Sequence, residues 1–241
     1  MCTVTFIKSG NTTLITSNRD EKIIRQQAIP PQLYGSDDKM LLFPKDADAG
    51  GTWITLKQNG HVAVLLNGGF VKHTAAPPYN KSRGLIFLDI AEADHSFPAL
   101  QQIDLHNIEP FTIIIFENGN LYECRWDGSK KHTRQLDAAK PHIWSSVTLY
   151  DSETISKRES WFDQWLKQHE RPTQDEILSF HQFAGDGDKR NDLLMDRDGI
   201  YFTVSVTSIE LNEESGNMKY IDMKDGKVYE YQRSFVSKPA M

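Results

Sequence analysis

Met1-Cys2-Thr3-Val4-Thr5-Phe6-Ile7-Lys8-Ser9-Gly10-Asn11-Thr12-Thr13-Leu14-Ile15-Thr16-Ser17-Asn18-Arg19-Asp20-Glu21 opens the chain. Val4 and Phe6 alternate with Thr3 and Thr5, the period of a half-buried strand. Ser9-Gly10-Asn11 interrupts the run and Thr12 to Thr16 resumes it, which predicts a β-hairpin carrying Cys2 at its tip. Five polar residues, Ser17-Asn18-Arg19-Asp20-Glu21, then follow at the end of the second strand. A hairpin returns that end to the start of its first strand, so Arg19 and Asp20 are expected beside Cys2. Removal of Met1 would place a thiol and a free α-amine on one carbon, a nucleophile and its base in one residue. Their reference pKa values, about 8.5 and about 7.7–8.0, suit proton exchange near neutrality. A guanidinium favours the thiolate, and a carboxylate orients the ammonium.

Outward from this hairpin the pattern stays largely antiparallel. Pro30-Pro31 and Gly35-Ser36-Asp37-Asp38 read as a loop before the apolar run Met40 to Phe43. Thr52 to Leu56 and His61 to Leu66 read as strands joined at Gln58-Asn59-Gly60, and Thr112 to Phe116 turns through Asn118-Gly119 into Leu121 to Trp126. Lys131 to Leu136 and His142 to Ser146 add two more strands. Ser82 to Ala93 has helical spacing of Leu85, Ile86, Leu88, Ile90 and Ala91. Two further helices are predicted from Ser152 and from Thr173, the latter opened by a capping-box pattern of Thr173 with Glu176. Ile200 to Leu211, Met218 to Met223 and Val228 to Phe235 close the chain as strands, the last two joined at Asp225-Gly226. Many hairpins with few helices indicate an α+β protein.

The chain has 241 residues, 25% of them charged, and a net charge of −6 with both signs interspersed. No nucleic-acid partner is expected without a basic patch. No apolar run approaches the roughly 18 residues of a membrane span, and no basic leader precedes Ile7, so a cytoplasmic protein without an integral membrane segment is expected. Two cysteines, Cys2 and Cys124, make no disulfide framework.

The Met1-Cys2-Thr3 start, the hairpin and Asn18-Arg19-Asp20-Glu21 resemble the signature of the NRDE, or transport and Golgi organisation protein 2-like, family. Gly51-Thr52-Trp53 with a strand ending in Asn67 resembles its next block, and Ser82-Arg83-Gly84-Leu85 its arginine-glycine helix start. Trp144-Ser145-Ser146 with Leu149 stands where the family has Leu-Ser-Asn, and Tyr201 to Phe235 is similar to its closing strand hairpin. The resemblance covers essentially the whole chain, 1–241, as one domain. It implies the fold of N-terminal nucleophile hydrolases, a four-layer αββα sandwich of two antiparallel sheets between helix layers.

The same resemblance implies the chemistry of cysteine amidases. Cys2 would attack an amide or thioester of a small apolar acyl group, and its own α-amine would shuttle the proton. Arg19 and Asp20 would support the nucleophile, and Asn67 would donate to the oxyanion, a contribution of about 3–4 kcal/mol. Asn18, Trp53 and Ser146 are the implied substrate-binding residues. The sequence departs from the amidases at Ser146, where they supply a second asparagine. It departs again at Tyr201-Phe202-Thr203-Val204, where an arginine commonly follows Tyr-Gly-Thr. The family's links to haem trafficking and acyl-lipid metabolism imply an alternative, a non-catalytic carrier holding haem or an acyl lipid in the same cleft. The partner expected is thus a small molecule: an acyl amide, an acyl thioester or haem. No resident cofactor and no metal is implied.

The remaining candidates read as structural. Trp161, Phe162 and Trp165 have the spacing of a helix core. Cys124 shares a strand face with Tyr122 and Trp126, which predicts a buried thiol. The eight histidines show no ligand spacing, and the aspartates from Asp186 to Asp198 do not match a calcium loop.

Overall fold

The computed structural model describes residues 3–36 and 39–235. Cys2, on which the catalytic expectation rests, lies outside them, as do Asp37 and Asp38. The first hairpin forms as predicted, from β1 (Thr3–Ser9) and β2 (Thr12–Lys22), but its second strand runs farther than Thr16. Ser17 to Glu21 are strand residues, because β12 (Tyr201–Leu211) pairs with β2 along its length, Val206 opposite Asn18 and Thr203 opposite Asp20. The register shifts between Thr203 and Ser205, a bulge centred on Val204.

One sheet has the order β10-β1-β2-β12-β13-β14, with the two-residue β11 (Asp196–Arg197) also on β12. Here β10 is His142–Ser145, β13 Ser215–Asp222 and β14 Val228–Ser234. The second sheet runs β3 (Ile29–Tyr34), β4 (Leu41–Lys45), β5 (Ile54–Lys57), β6 (Val62–Asn67), β7 (Phe111–Glu117), β8 (Asn120–Trp126) and β9 (Lys131–Leu136) in chain order. All pairings are antiparallel. The Pro30-Pro31 segment is therefore strand and not loop. It lies at the sheet edge, where a missing N–H costs no ladder bond, and the register slips between Ile29 and Gln32. The β7–β8 turn uses positive φ at Asn118 and Gly119, +51° and +76°, matching the twist of a tight hairpin.

Helices α1 (Arg83–Glu92) and α2 (Ser96–Gln102) cover the second sheet, and α3 (Ser152–Leu166) and α4 (Gln174–Phe183) cover the first. Ser82 caps α1, and the Thr173–Glu176 capping box opens α4 as its sequence predicts. α2 has no such local signal. His95 provides no side-chain cap, and Glu117 from β7 accepts from the Ser96 and Phe97 N–H groups instead. Between the sheets Val4, Phe6, Ile15, Trp53, Ile54, Leu66 and Ile209 form the central core. Separate apolar clusters fasten each helix layer, with Ile86, Phe87 and Ile90 on one side and Phe162, Ile177 and Phe180 on the other. Cys124 is buried in the α1–α2 cluster, and burial pushes its thiol up to about 12. The layers run helix, sheet, sheet, helix.

Candidate active-site cleft

Two of the sequence blocks meet backbone to backbone. A Cβ built on Gly51 would come within 2.5 Å of the Gly84 carbonyl carbon and 2.9 Å of its Cα, so Gly51 must be glycine for the blocks to touch, and a Cβ on Gly84 would sit tightly at 3.2 Å from the Thr52 carbonyl oxygen. Around this contact opens a cleft of about 370 Å³, lined among others by Arg19, Asp46, Trp53, Asn67, Arg83 and Glu109. Ionic side chains dominate its rim: Arg83 pairs with Glu109 at 3.1 Å, Lys81 with Asp89 at 2.5 Å, and Arg25 with Glu21 at 3.7 Å.

Alternation along β2 divides its motif between two faces. Arg19 points between the sheets. Its guanidinium lies 4.4 Å above the Trp53 ring and makes a 2.5 Å ion pair with Asp46. Asp46 is itself fixed, its Oδ1 accepting from the Asp48 and Ala49 N–H groups at 3.0 and 2.8 Å. A cation held this way, with only 3% of its surface exposed, keeps one orientation at the cleft. Trp53 is 2% exposed, belongs to the central core and lines the cleft, and its indole Nε1 has no partner among the described residues.

Asn18 and Asp20 point the other way, under α3 and α4. The Asn18 amide donates to the His181 and Leu193 carbonyls at 3.1 and 2.7 Å, and its Oδ1 lies 2.5 Å from His181 Nδ1. Asn18 is thus spent inside the fold and does not line the cleft. Asp20 accepts from Tyr150 Oη at 2.8 Å and Thr203 Oγ1 at 2.5 Å. Arg158 of α3 is completely buried. It donates to Thr3 Oγ1 and to the Asn191 and Asp192 carbonyls, and its guanidinium lies 3.7 Å over the Tyr150 ring. Arg158, Tyr150 and Asp20 therefore form one continuous support behind Thr3. His181 bonds Thr5 Oγ1 at 2.8 Å, and burial, then the Arg158 charge, pushes its imidazole down to about 3.

Asn67 ends β6 and lines the cleft. The Ser146 hydroxyl donates to the Asn67 carbonyl at 2.7 Å and lies 2.9 Å from Thr148 Oγ1. Ser146, at 1% exposed, thereby orients the Asn67 backbone and does not present a free donor. Gly68 follows at φ +86°, and a Cβ there would strike Val147 and Thr148, so the Asn67 turn and the Ser146 loop pack as one unit. Thr3 pairs with Asn18 on one side and Ser145 on the other, the chain neighbours of Arg19 and Ser146. The start of β1 and the cleft are at the same end of the sandwich.

Sequence reading singled out Arg19, Asp20, Asn67 and Trp53 but passed over Asp46, Tyr150, Thr203, His181 and Arg158. Only Asp46 carries a local signal, an aspartate opening the turn Asp46-Ala47-Asp48-Ala49-Gly50. The others act across 130 residues or more of chain, as Tyr150 does on Asp20.

A family model for Transport and Golgi organisation 2 matches residues 1–222. The chain belongs to this family. Among solved structures, an N-acylethanolamine-hydrolyzing acid amidase ortholog from Caenorhabditis elegans is similar with a TM-score of 0.62 and 13% identity, over 86% of this chain and 92% of that one. A variant of conjugated bile acid hydrolase from Clostridium perfringens is similar with a TM-score of 0.59 and 11% identity, covering 98% and 97%. A second mutant of that hydrolase gives 0.54 and 12%, covering 96% and 96%. No curated protein matches. At these identities the likeness is one of fold, and it gives this member of the family the architecture of N-terminal nucleophile hydrolases. Among the described residues no helix is long and apolar enough to cross a membrane.

Proposed function

We propose that the chain is a single-domain cysteine hydrolase of amide or thioester bonds, with Cys2 as nucleophile after loss of Met1. The observation that carries this reading is the convergence of the β1 start, Arg19 and Asn67 at one cleft, in a fold whose solved relatives include two hydrolases. In the proposed step the Cys2 sulfur bonds to the scissile carbonyl carbon, and the α-amine takes the thiol proton. The amine then gives that proton to the leaving amine or thiol, the C–N or C–S bond breaks, and water cleaves the acyl-enzyme. Arg19 favours the thiolate, Asp20 fixes the α-ammonium, and Asn67 stabilises the oxyanion. The cleft's ionic rim supports a substrate in which the small apolar acyl group is joined to a polar or charged portion. The same rim and a volume of about 370 Å³ favour a small polar group over a haem macrocycle.

Intact-protein mass spectrometry of wild type and Cys2→Ala, before and after exposure to acyl-amide and acyl-thioester probes, tests this. A mass lacking Met1 and an acyl adduct absent from Cys2→Ala are expected. Retained Met1, or an unreactive Cys2, would sink the hydrolase and leave the non-catalytic carrier of haem or an acyl lipid as the reading to pursue.

A further inference from the structure

His61, His95 and Glu117 converge at the other end of β6 from the cleft. His61 precedes β6, Glu117 ends the neighbouring β7, and His95 precedes α2. Sequence spacing conceals this, since the three lie in separate hairpins and a helix connection. One ligand atom from each falls within 4.8 Å of the others. His61 and Glu117 are both 5% exposed, with Nδ1 to Oε2 at 3.9 Å, and His95 is open to solvent.

The surroundings prepare a ligand set. His61 Nε2 donates to Asn118 Oδ1 at 3.0 Å, which leaves the lone pair on Nδ1, where it now meets the Asn59 amide at 3.2 Å. A histidine ligand held by an outer hydrogen bond on its second nitrogen is the usual arrangement at metal centres. Glu117 is fixed by the Ser96 and Phe97 N–H groups and supplies the negative charge. The nearby cation is Lys57, whose ammonium is occupied by the Ala93 and Asp94 carbonyls. The exposed His95 opens the cluster to solvent.

We propose that His61 Nδ1, His95 and Glu117 bind one divalent transition-metal ion of the zinc type, with water completing its shell. Two imidazoles and a carboxylate suit such an ion, whereas magnesium and calcium prefer all-oxygen sets. Metal–ligand bonds of about 2.0–2.1 Å require the donors to draw together around the ion, by rotation of the exposed His95 ring and a smaller shift of the His61–Glu117 pair from its 3.9 Å separation.

Cobalt(II) titration of metal-stripped, untagged full-length protein tests the site. A Cys2→Ser background removes the competing thiol. One equivalent is expected to raise visible d–d absorption and to be displaced by zinc. His95→Ala, at an exposed position, is expected to weaken binding about tenfold or more, and Glu117→Gln likewise with its far-UV spectrum retained. No visible band at millimolar cobalt, or equal affinity in His95→Ala, would overturn the proposal.

Discussion

The two helix-covered faces of this sandwich differ in how much buried polar material they hold. Beneath α1 and α2 the second sheet presents Ala63, Leu65, Ile113 and Ile115 to Ile86, Phe87 and Ile90. Beneath α3 and α4 the first sheet adds to its apolar Ile7 and Leu14 a buried polar set, Thr3, Thr5, Asn18 and Asp20, that meets His181, Arg158 and Tyr150, with Thr16 bonded to Ser208 on the neighbouring strand. An apolar face needs only shape and volume, whereas each buried polar group requires a partner in place. The polar face therefore specifies where Thr3 and Asp20 sit to hydrogen-bond accuracy, and the apolar face serves to hold the layers together. Burial of a polar network directly behind the start of β1 is a cost that the proposed chemistry explains.

Three measurements would break or sharpen this contrast. The largest effect is expected for Phe87→Ala, at a completely buried ring of the apolar layer. It should cost about 3–5 kcal/mol in urea unfolding without altering the reactivity of Cys2 toward a thiol alkylator. A change in that reactivity would show that the two layers are coupled.

The polar layer should instead show a pH signature. His181 has an ordinary pKa of 6.5 and a folded value of about 3, so between these values the unfolded chain binds a proton that the folded chain refuses. Stability then rises with pH across that window and is lost as pH falls, by up to about 1.4 kcal/mol per unit. Urea midpoints from pH 7 to 4 should fall more steeply for wild type than for His181→Gln. Parallel slopes would remove His181 from the account.

The smallest effect is expected at the Thr16–Ser208 hydroxyl pair, 2.9 Å apart and fully buried. Thr16→Val keeps the shape but leaves Ser208 without that partner, for a loss of about 1–3 kcal/mol near the lower end of that range. No loss would mean that the polar face tolerates an unpaired hydroxyl.

What could be read from the chain alone follows the range of the forces involved. Asn-Gly turns at 59–60 and 118–119 and the Thr173–Glu176 box are contacts between near neighbours, and each formed as expected, whereas β1 is a strand as its alternation predicts but is buried on both faces from Thr3 to Ile7 and not half-buried. The resemblance of Asn18-Arg19-Asp20-Glu21 and the blocks around Trp53 and Arg83 indicated the αββα architecture, and the family match and solved relatives agree. Local chemistry misled where tertiary partners change the outcome. Five polar residues after Thr16 lack the apolar alternation of a strand, yet β1 and β12 pair with them, and Asp46, Tyr150, His181, Leu193 and Thr203 hold the side chains of Asn18, Arg19 and Asp20. Two prolines look like a break, yet a sheet edge tolerates them. α2 has no cap of its own, because its cap is Glu117, more than 20 residues away.

The sequence by itself determined the hairpins, the main helices, and Arg19, Asp20 and Asn67 as residues worth following, since propensity, turn chemistry and motif are written in adjacent positions. Only the tertiary structure decided that Arg19 faces the cleft while Asn18 faces away, that Ser146 serves the Asn67 backbone, and that Arg158 and Tyr150 stand behind Thr3. Those outcomes depend on which strand lies beside which and which helix covers them. Hydrogen bonds and ion pairs act over a few ångströms of space, whatever the length of chain between their partners.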